Sequence, residues 1–454
     1  MKNFTTFIKY SALFSLALLL FACAGSPSHH VADETQNKMP GAAEIRVSPP
    51  EIDSAEPSIA AAPDGGVYVV WVEHGASRAA DVYLQKFDGE AKPSGEKTRL
   101  NPQPGQATAW RGDAPTIAVG ADGAIYVGWT ASVKTGTTSG TNLYVSISRD
   151  GGKTFAAPVK VNDDNEPASH GMHSLAIDQN GKIYVAWLDE RNVKKPAPAK
   201  NEAAESDDAT EFQYLKAHHT PTPEAKQEKE EVEPNSEIFY AVSGDGGQTF
   251  APNKKISSEV CPCCKTSLVT TADGKVYASW RQVLAGDFRH IAVASSTDGG
   301  ENFSAPALVS DDQWQINACP VSGAALAIAE TGALRVAWFT AGKAGNPGLY
   351  AAESKDGGKT FSARTLINEN MLSGAPIFLA GDGGRAGIVW EANGKLFRAG
   401  LPANQNDKAQ AAEIGDGAAP SAALFKDNFF VGFTRKDGDQ RGVWLAVFND
   451  SITN

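Results

Sequence analysis

A tryptophan that returns at near-regular intervals behind the same turn constrains this chain more than any other feature. The stretch Asp64-Gly65-Gly66-Val67-Tyr68-Val69-Val70-Trp71 comes back as Asp122-Gly123-Ala124-Ile125-Tyr126-Val127-Gly128-Trp129. Further copies end at Trp187, Trp280, Trp338 and Trp390, and a weaker one ends at Phe433. The spacings are 58, 58, 93, 58, 52 and 43 residues. A turn dipeptide followed by a β-branched and aromatic run reads as a hairpin feeding a strand. A unit of this size cannot bury its own apolar face, so it must stack on copies of itself. Its turns and strands draw on a composition of 44 Gly, 20 Phe and 10 Tyr in 454 residues.

A second motif follows the first in four copies: Ser148-Arg149-Asp150-Gly151-Gly152-Lys153-Thr154-Phe155, then Ser243 to Phe250, Ser296 to Phe303 and Ser354 to Phe361. Each stands behind another short strand, such as Leu143-Tyr144-Val145-Ser146-Ile147. The motif resembles the Asp box, the bacterial-neuraminidase (BNR) repeat of sialidase-like β-propellers. The box aspartates would be Asp150, Asp245, Asp298 and Asp356. The chemistry is local: the carboxylate accepts turn amides, Gly supplies the unusual dihedrals, and Phe packs between sheets. The resemblance implies an all-β propeller of four-stranded blades, with Asp boxes on the face away from the active site. The repeats count to seven blades, or six if the weak last copy is discounted. The last copy supplies only three strands, so Glu44-Ile45-Arg46-Val47-Ser48 is expected to close it and remove an exposed edge.

The start of the chain reads as an address. Lys2 and Lys9 precede an apolar run from Ala12 to Ala22, too short to span a bilayer as a helix. Leu20-Phe21-Ala22-Cys23 resembles a bacterial lipoprotein signal. That implies removal of residues 1–22, lipidation of Cys23 and, with Ala24 next, sorting to the outer membrane of the cell envelope. Residues 23–43 read as a flexible tether and 44–454 as the propeller. Residues 192–235 read as an acidic, Pro- and Ala-rich insertion with little to bury, which leaves a protein partner as one use for it. The formal charge of −12 excludes a nucleic-acid binder, because there is no basic excess to release phosphate counterions.

The scarce side chains fall in the long links between blades, on the face opposite the Asp boxes. His170 and His173 lie in one link, Cys261, Cys263 and Cys264 in the next, Cys319 in the next and Met371 in the one after. Two readings stay open. Four cysteines in an oxidising compartment can make two disulfides. Thiolate, thioether and imidazole together are instead a ligand set for a soft metal ion, copper as Cu(I) before zinc, since zinc sites seldom use Met.

Sialidase chemistry is what the family resemblance implies next. It requires three arginines for the substrate carboxylate, a tyrosine nucleophile with a glutamate partner, and an acidic Asp. Arg111, Arg191 and Arg281 are the candidates on that face, with Asp113 and Glu73 for the acidic roles. Tyrosine is the obstacle, because Tyr68, Tyr126, Tyr184 and Tyr277 share one repeated strand position and read as packing. The sequence therefore points first to a lipid-anchored binding protein with a Cys/His/Met site. An exo-sialidase-type glycosidase comes second, and a protein-interaction scaffold third.

Overall fold

A computed structural model describes residues 39, 42–76, 79–136, 138–165, 167–193, 235–316, 318, 320–369, 371–379, 387–401, 409–426 and 428–449. The side chains of Arg111 and Asn449 are not among those described. The signal segment, most of the tether and nearly all of the 192–235 insertion lie outside these residues, as does Cys319. The described residues are all-β apart from short turns of 3-10 helix such as Arg111–Asp113.

Among the described residues the strands lie in five sheets, of four, nine, eight, four and four strands, which divide by antiparallel pairing into successive four-stranded runs, numbered here as units one to seven. In the first, Ser54–Ala61, Val67–His74, Ala80–Phe87 and Thr98–Arg99 pair in chain order. The seventh takes Ala418–Phe425, Asn428–Asp437 and Gln440–Asn449 from the end of the chain. Its fourth strand is Ala43–Arg46, registered Ala43 on Val447 and Arg46 on Trp444. The N-terminal strand thus covers the last edge, as the three-strand count required.

No sheet closes on itself. What joins the units is packing between their first strands. Ser54–Ala61 lies against Thr116–Val119, which lies against His170–Ile177, then Ser267–Thr270, Ala325–Ile328, Ile377–Leu379 and Ala418–Phe425. The last of these returns to Ser54–Ala61, so the chain of contacts is circular.

The strand that ends in Trp is the second of each unit and is covered on both faces. Val67 through Val72 are all buried, which is why this segment is apolar without alternation. Trp71, Trp129, Trp187, Trp280, Trp338 and Trp390 have essentially no exposed surface. At roughly 25 cal/mol per Å² each indole contributes about 4–6 kcal/mol of gross burial. Five of the six indole N–H groups find acceptors: Glu73, Ser146, Asp189, Gln282 and Asp312. The sixth, on Trp390, has none.

The Asp boxes are turn staples. Asp150 accepts the amide of Thr154 at 3.0 Å, its hydroxyl at 2.6 Å and the Ser148 hydroxyl at 2.8 Å. The other three boxes repeat this, with the Asn302 amide standing in for Thr. These bonds hold the carboxylates of Asp150 and Asp245 down to about 2, and those of Asp298 and Asp356 lower still. The second box glycine also fits one unit onto the one before it. A Cβ at Gly300, where φ is +84°, would stand 2.9 Å from the Tyr184 ring and 3.0 Å from Val242. Tyr68, Tyr184 and Tyr277 are therefore seats for the next unit's box.

Candidate functional site

Three sulfurs meet in the link between units three and four. Lys254–Val260 ends unit three, Ser267–Thr270 begins unit four, and Cys261-Pro262-Cys263-Cys264 lies between them. The three cysteines are 0%, 6% and 0% exposed. Cys261 Sγ is 3.4 Å from Cys264 Sγ and 3.7 Å from Cys263 Sγ, and all three sulfurs lie within 4.8 Å of one another. A disulfide would need about 2.05 Å, so Cys261 is bonded to neither neighbour, and Cys264 is a thiol.

Arginine surrounds this cluster. Arg289 donates from Nη1 to Cys261 Sγ at 2.9 Å, and the Cys261 amide bonds the carbonyl of Arg281 at 2.9 Å. Arg281 is wholly buried on the strand Val276–Leu284. Its Nε and Nη2 donate to the carbonyl of Ser322 at 3.1 and 2.7 Å, and Nη2 also donates to that of Phe339 at 3.0 Å. The Trp314 ring covers the guanidinium at 4.8 Å. Burial, and then Cys261, push the Cys264 thiol up to about 12, with Cys263 and the charge of Arg281 pulling the other way.

The methionine packed into the same buried cluster is Met172, together with Val260, Trp280 and the three cysteines. Met371 is 47% exposed and belongs to a different link. The expectation that grouped Met371 with the cysteines is therefore corrected. Met172 lies in a bulge between Gly171 and Ser174, where it takes φ +52°. Thr266 locks that bulge to the cysteine link through its amide (3.0 Å) and hydroxyl (2.9 Å), both on the Met172 carbonyl.

The two histidines serve neighbouring units. His173 Nδ1 lies 3.2 Å from Asp113 Oδ1, and its Nε2 is buried without a partner against Gly128. Burial acts to raise the Asp113 pKa. The His173 hydrogen bond and charge, Lys265 and the Met172 amide (2.7 Å) outweigh it and hold the carboxyl below its ordinary value. Lys265 keeps part of its stem at the surface, while its ammonium reaches the Ala114 carbonyl at 2.6 Å. Burial of that end pulls its pKa down to about 8, against Asp113. His170 is held through Nδ1 on the Thr141 carbonyl. Its Nε2 is 3.1 Å from Asp164 and 3.6 Å from Asp189 but hydrogen-bonds neither.

Of the residues expected to serve a glycosidase, Arg281, Arg191 and Glu73 are occupied elsewhere. Arg281 is spent on two carbonyls and an indole. Arg191 pairs with Asp189 and Asp163, bonds Asn253, and lies over the Phe239 ring at 4.6 Å. Glu73 is buried between the Trp71 indole and Lys97. Arg111 lies in the turn beside Asp113. Among the described residues every tyrosine with a displaced pKa is displaced upward, with burial as the first cause. A nucleophilic tyrosine is activated by a lowered pKa or by an adjacent base. A cavity of about 340 Å³ opens at the turn end of the first strands, away from the cysteines, lined by Ala61, Pro63, Val119, Ile177 and Phe425.

Sequence reading missed Arg289, Met172, Thr266 and Trp314 as partners of the cluster, although a signal was present. The residue before Trp pairs with a fixed first-strand position in every unit. The residue just ahead of that position is Pro57, Pro115, His173, Thr266, Ala324, Pro376 and Pro420 in turn. The proline is lost in units three, four and five only, around the cysteine link. Likewise Arg281 follows Trp where the other units carry Val72, Thr130, Leu188, Phe339, Glu391 and Thr434.

Known proteins fit this architecture. Residues 82–374 match the BNR repeat-like domain family. Among solved structures the chain is similar to a protein of unknown function from Dyadobacter fermentans DSM 18053, at 13% identity and TM-score 0.50, covering 89% of this chain and 97% of that one. It is also similar to a mutant of NanB sialidase from Streptococcus pneumoniae, at 11% identity and TM-score 0.46, covering 84% and 83%. A third is the α-L-arabinanase of Penicillium chrysogenum, at 12% identity and TM-score 0.47, covering 75% and 94%. No curated protein matches the sequence. The first of these likenesses speaks for the fold alone, and the family match spans well over half of the chain: it belongs to the BNR repeat-like domain family, whose sialidase-like propeller accounts for its repeated units.

Proposed function

We propose that this chain is a lipid-anchored propeller of the bacterial envelope that binds a soft metal ion, Cu(I) before Zn(II), through Cys261, Cys263 and Cys264. The observation that carries the reading is three sulfurs brought within 4.8 Å of one another in a solvent-excluded link. Thiolates sharing one metal at about 2.3 Å stand roughly 3.8–4.0 Å apart, close to the spacing found here. Met172 in the same cluster offers a thioether, which suits Cu(I) better than zinc. Exchange chemistry is the weaker use for these thiols, because all three are buried and burial raises the Cys264 pKa. Anchorage through Cys23 rests on the charged start, short apolar run and cysteine that open the chain.

The glycosidase reading draws only on the fold, and fold does not transfer function. The commitments of Arg281, Arg191 and Glu73 count against it.

The test is metal analysis of protein purified without oxidation from its own envelope. About one copper per chain is expected, competed away by a Cu(I) chelator and lost in Cys261→Ser and Cys264→Ser. Metal-free protein with the body cysteines bridged by mass spectrometry would overturn the proposal.

A further inference from the structure

We infer that Thr266 is a positioning residue that sets Met172 as a fourth, thioether ligand beside the three cysteines. This rests on the metal-site reading and adds to it what places the ligand that separates Cu(I) from Zn(II). Met172 is buried and packs in one cluster with Cys261, Cys263 and Cys264. Both hydrogen-bonding groups of its backbone are held from outside its own unit. Its amide donates to Asp113 Oδ1 at 2.7 Å, in the turn ahead of unit two's first strand. Its carbonyl accepts the amide of Thr266 at 3.0 Å and the hydroxyl at 2.9 Å, from the start of unit four. Thr266 is itself buried and stands two residues after Cys264, so the link that carries the sulfurs also carries the hold on Met172.

The two donors at this place exist because unit four departs from the repeat. Units one, two, six and seven carry Pro57, Pro115, Pro376 and Pro420 there, and proline has neither an amide hydrogen nor a hydroxyl to give. Threonine supplies both, and both go to the same carbonyl. The hydroxyl also lies 3.2 Å from the Ala186 carbonyl and 2.9 Å from Ser174 Oγ, which ties it to the first and second strands of unit three. Fastening one unit to the next accounts for those contacts, yet four other seams are fastened with proline at that point. What threonine adds is the grip on Met172. A backbone tied on both sides delivers its side chain to one place before any ion arrives, which is how a ligand is kept ready for a metal. A thioether so placed favours Cu(I), because it is a soft donor that zinc seldom uses.

The experiment loads the mature, selenomethionine-labelled protein with stoichiometric Cu(I) under anaerobic conditions and records X-ray absorption at the selenium edge. Cu(I) and Zn(II) affinities come from chelator competition on the same samples. The parent should show a copper neighbour at selenium, absent in Met172→Leu. Thr266→Val keeps the amide donor and loses the hydroxyl, and Thr266→Pro restores the residue of four other units and loses both. Each should weaken the copper–selenium signal and lower Cu(I) affinity by roughly 10-fold, Pro more than Val, with a smaller fall for Zn(II). Thr266→Ser, which keeps both donors, should return the parent's values. Equal falls for the two ions, or a signal and affinity unmoved in variants that keep the parent's circular dichroism, overturn the inference. Should Thr266→Pro fail to fold, the near-isosteric Thr266→Val decides. A parent that binds Cu(I) with no copper neighbour at selenium also refutes this role and leaves the metal-site reading standing, whereas a parent that takes up no Cu(I) overturns that reading itself.

Discussion

The six buried tryptophans differ in one respect that fixes what their replacement should cost. Trp338 Nε1 donates at 2.7 Å to Asp312 Oδ2, a carboxylate with no exposed surface whose other oxygen is held by Arg364. Trp390 is equally buried, stacks on Phe397 with ring centroids 5.8 Å apart, and has an indole N–H without a partner. Trp→Phe at either position removes the same carbon volume, worth about 1–2 kcal/mol in lost contacts and residual cavity. At Trp338 it also strips a charge-assisted donor from a buried carboxylate, about 1.5–3 kcal/mol more. At Trp390 it deletes an unsatisfied buried donor, so about 1–3 kcal/mol is recovered. Trp338→Phe should therefore destabilise by about 3–5 kcal/mol and Trp390→Phe by about 1 kcal/mol or less. Urea unfolding followed by far-ultraviolet circular dichroism compares them, provided the slope with denaturant is unchanged. Equal losses at the two sites would show that packing alone decides, and that the partner of the indole does not matter.

Further outcomes follow from the same contacts. Met172→Ala should cost about 2–5 kcal/mol and weaken Cu(I) binding, whereas Met371→Ala should leave both within experimental error; thermal melts and chelator competition read this out. Gly128→Val should destabilise by about 1–3 kcal/mol, because its Cβ would stand 2.9 Å from His173 Nε2 and 2.7 Å from Thr116 Oγ1. Gly128→Ala should cost less, and a melt unchanged by Val would contradict the geometry. The Asp boxes set an acid limit. Their folded pKa values lie below the unfolded one near 3.8, so their contribution is present above pH 4 and lost as the pH falls towards about 2. Replacing all four box aspartates by Asn should flatten the stability profile over that window, as measured by unfolding midpoints at successive pH values.

Much of the fold could be read from the chain because its dominant signals are local. An Asp-Gly turn, a β-branched run and a Trp fall within about ten residues, so periodicity alone locates the second strand of each unit. The Asp box is equally local: Asp150 reaches Ser148 and Thr154 and nothing distant. Closure of the last unit was legible for another reason. Three strands ending at Asn449 leave an open edge, and the only spare strand stands at the other end of the chain.

The site was half legible, and the missing half depends on geometry that spacing does not carry. Placement by link correctly collected the three cysteines, because four consecutive residues cannot separate far. It failed for methionine because Met172 and Met371 occupy similar links and differ only in depth. Met172 sits in a first-strand bulge at φ +52°, a conformation that Glu56 and Ala419 share at the same place in their own units, and spacing alone does not separate Met172 from Met371. Arg281 was misassigned for the converse reason. It was read as a surface ligand for a substrate carboxylate, yet it occupies a strand position that the other units fill mostly with apolar or uncharged side chains. A charge at a core position of a repeat is seldom there for the repeat's own stability, since a well-packed apolar residue serves that purpose as well or better. The loss of the first-strand proline at His173, Thr266 and Ala324 is the same kind of evidence. A propeller holds itself together by keeping its units alike, so the units that depart from the pattern at buried positions are where the chain is answering to something other than its own fold.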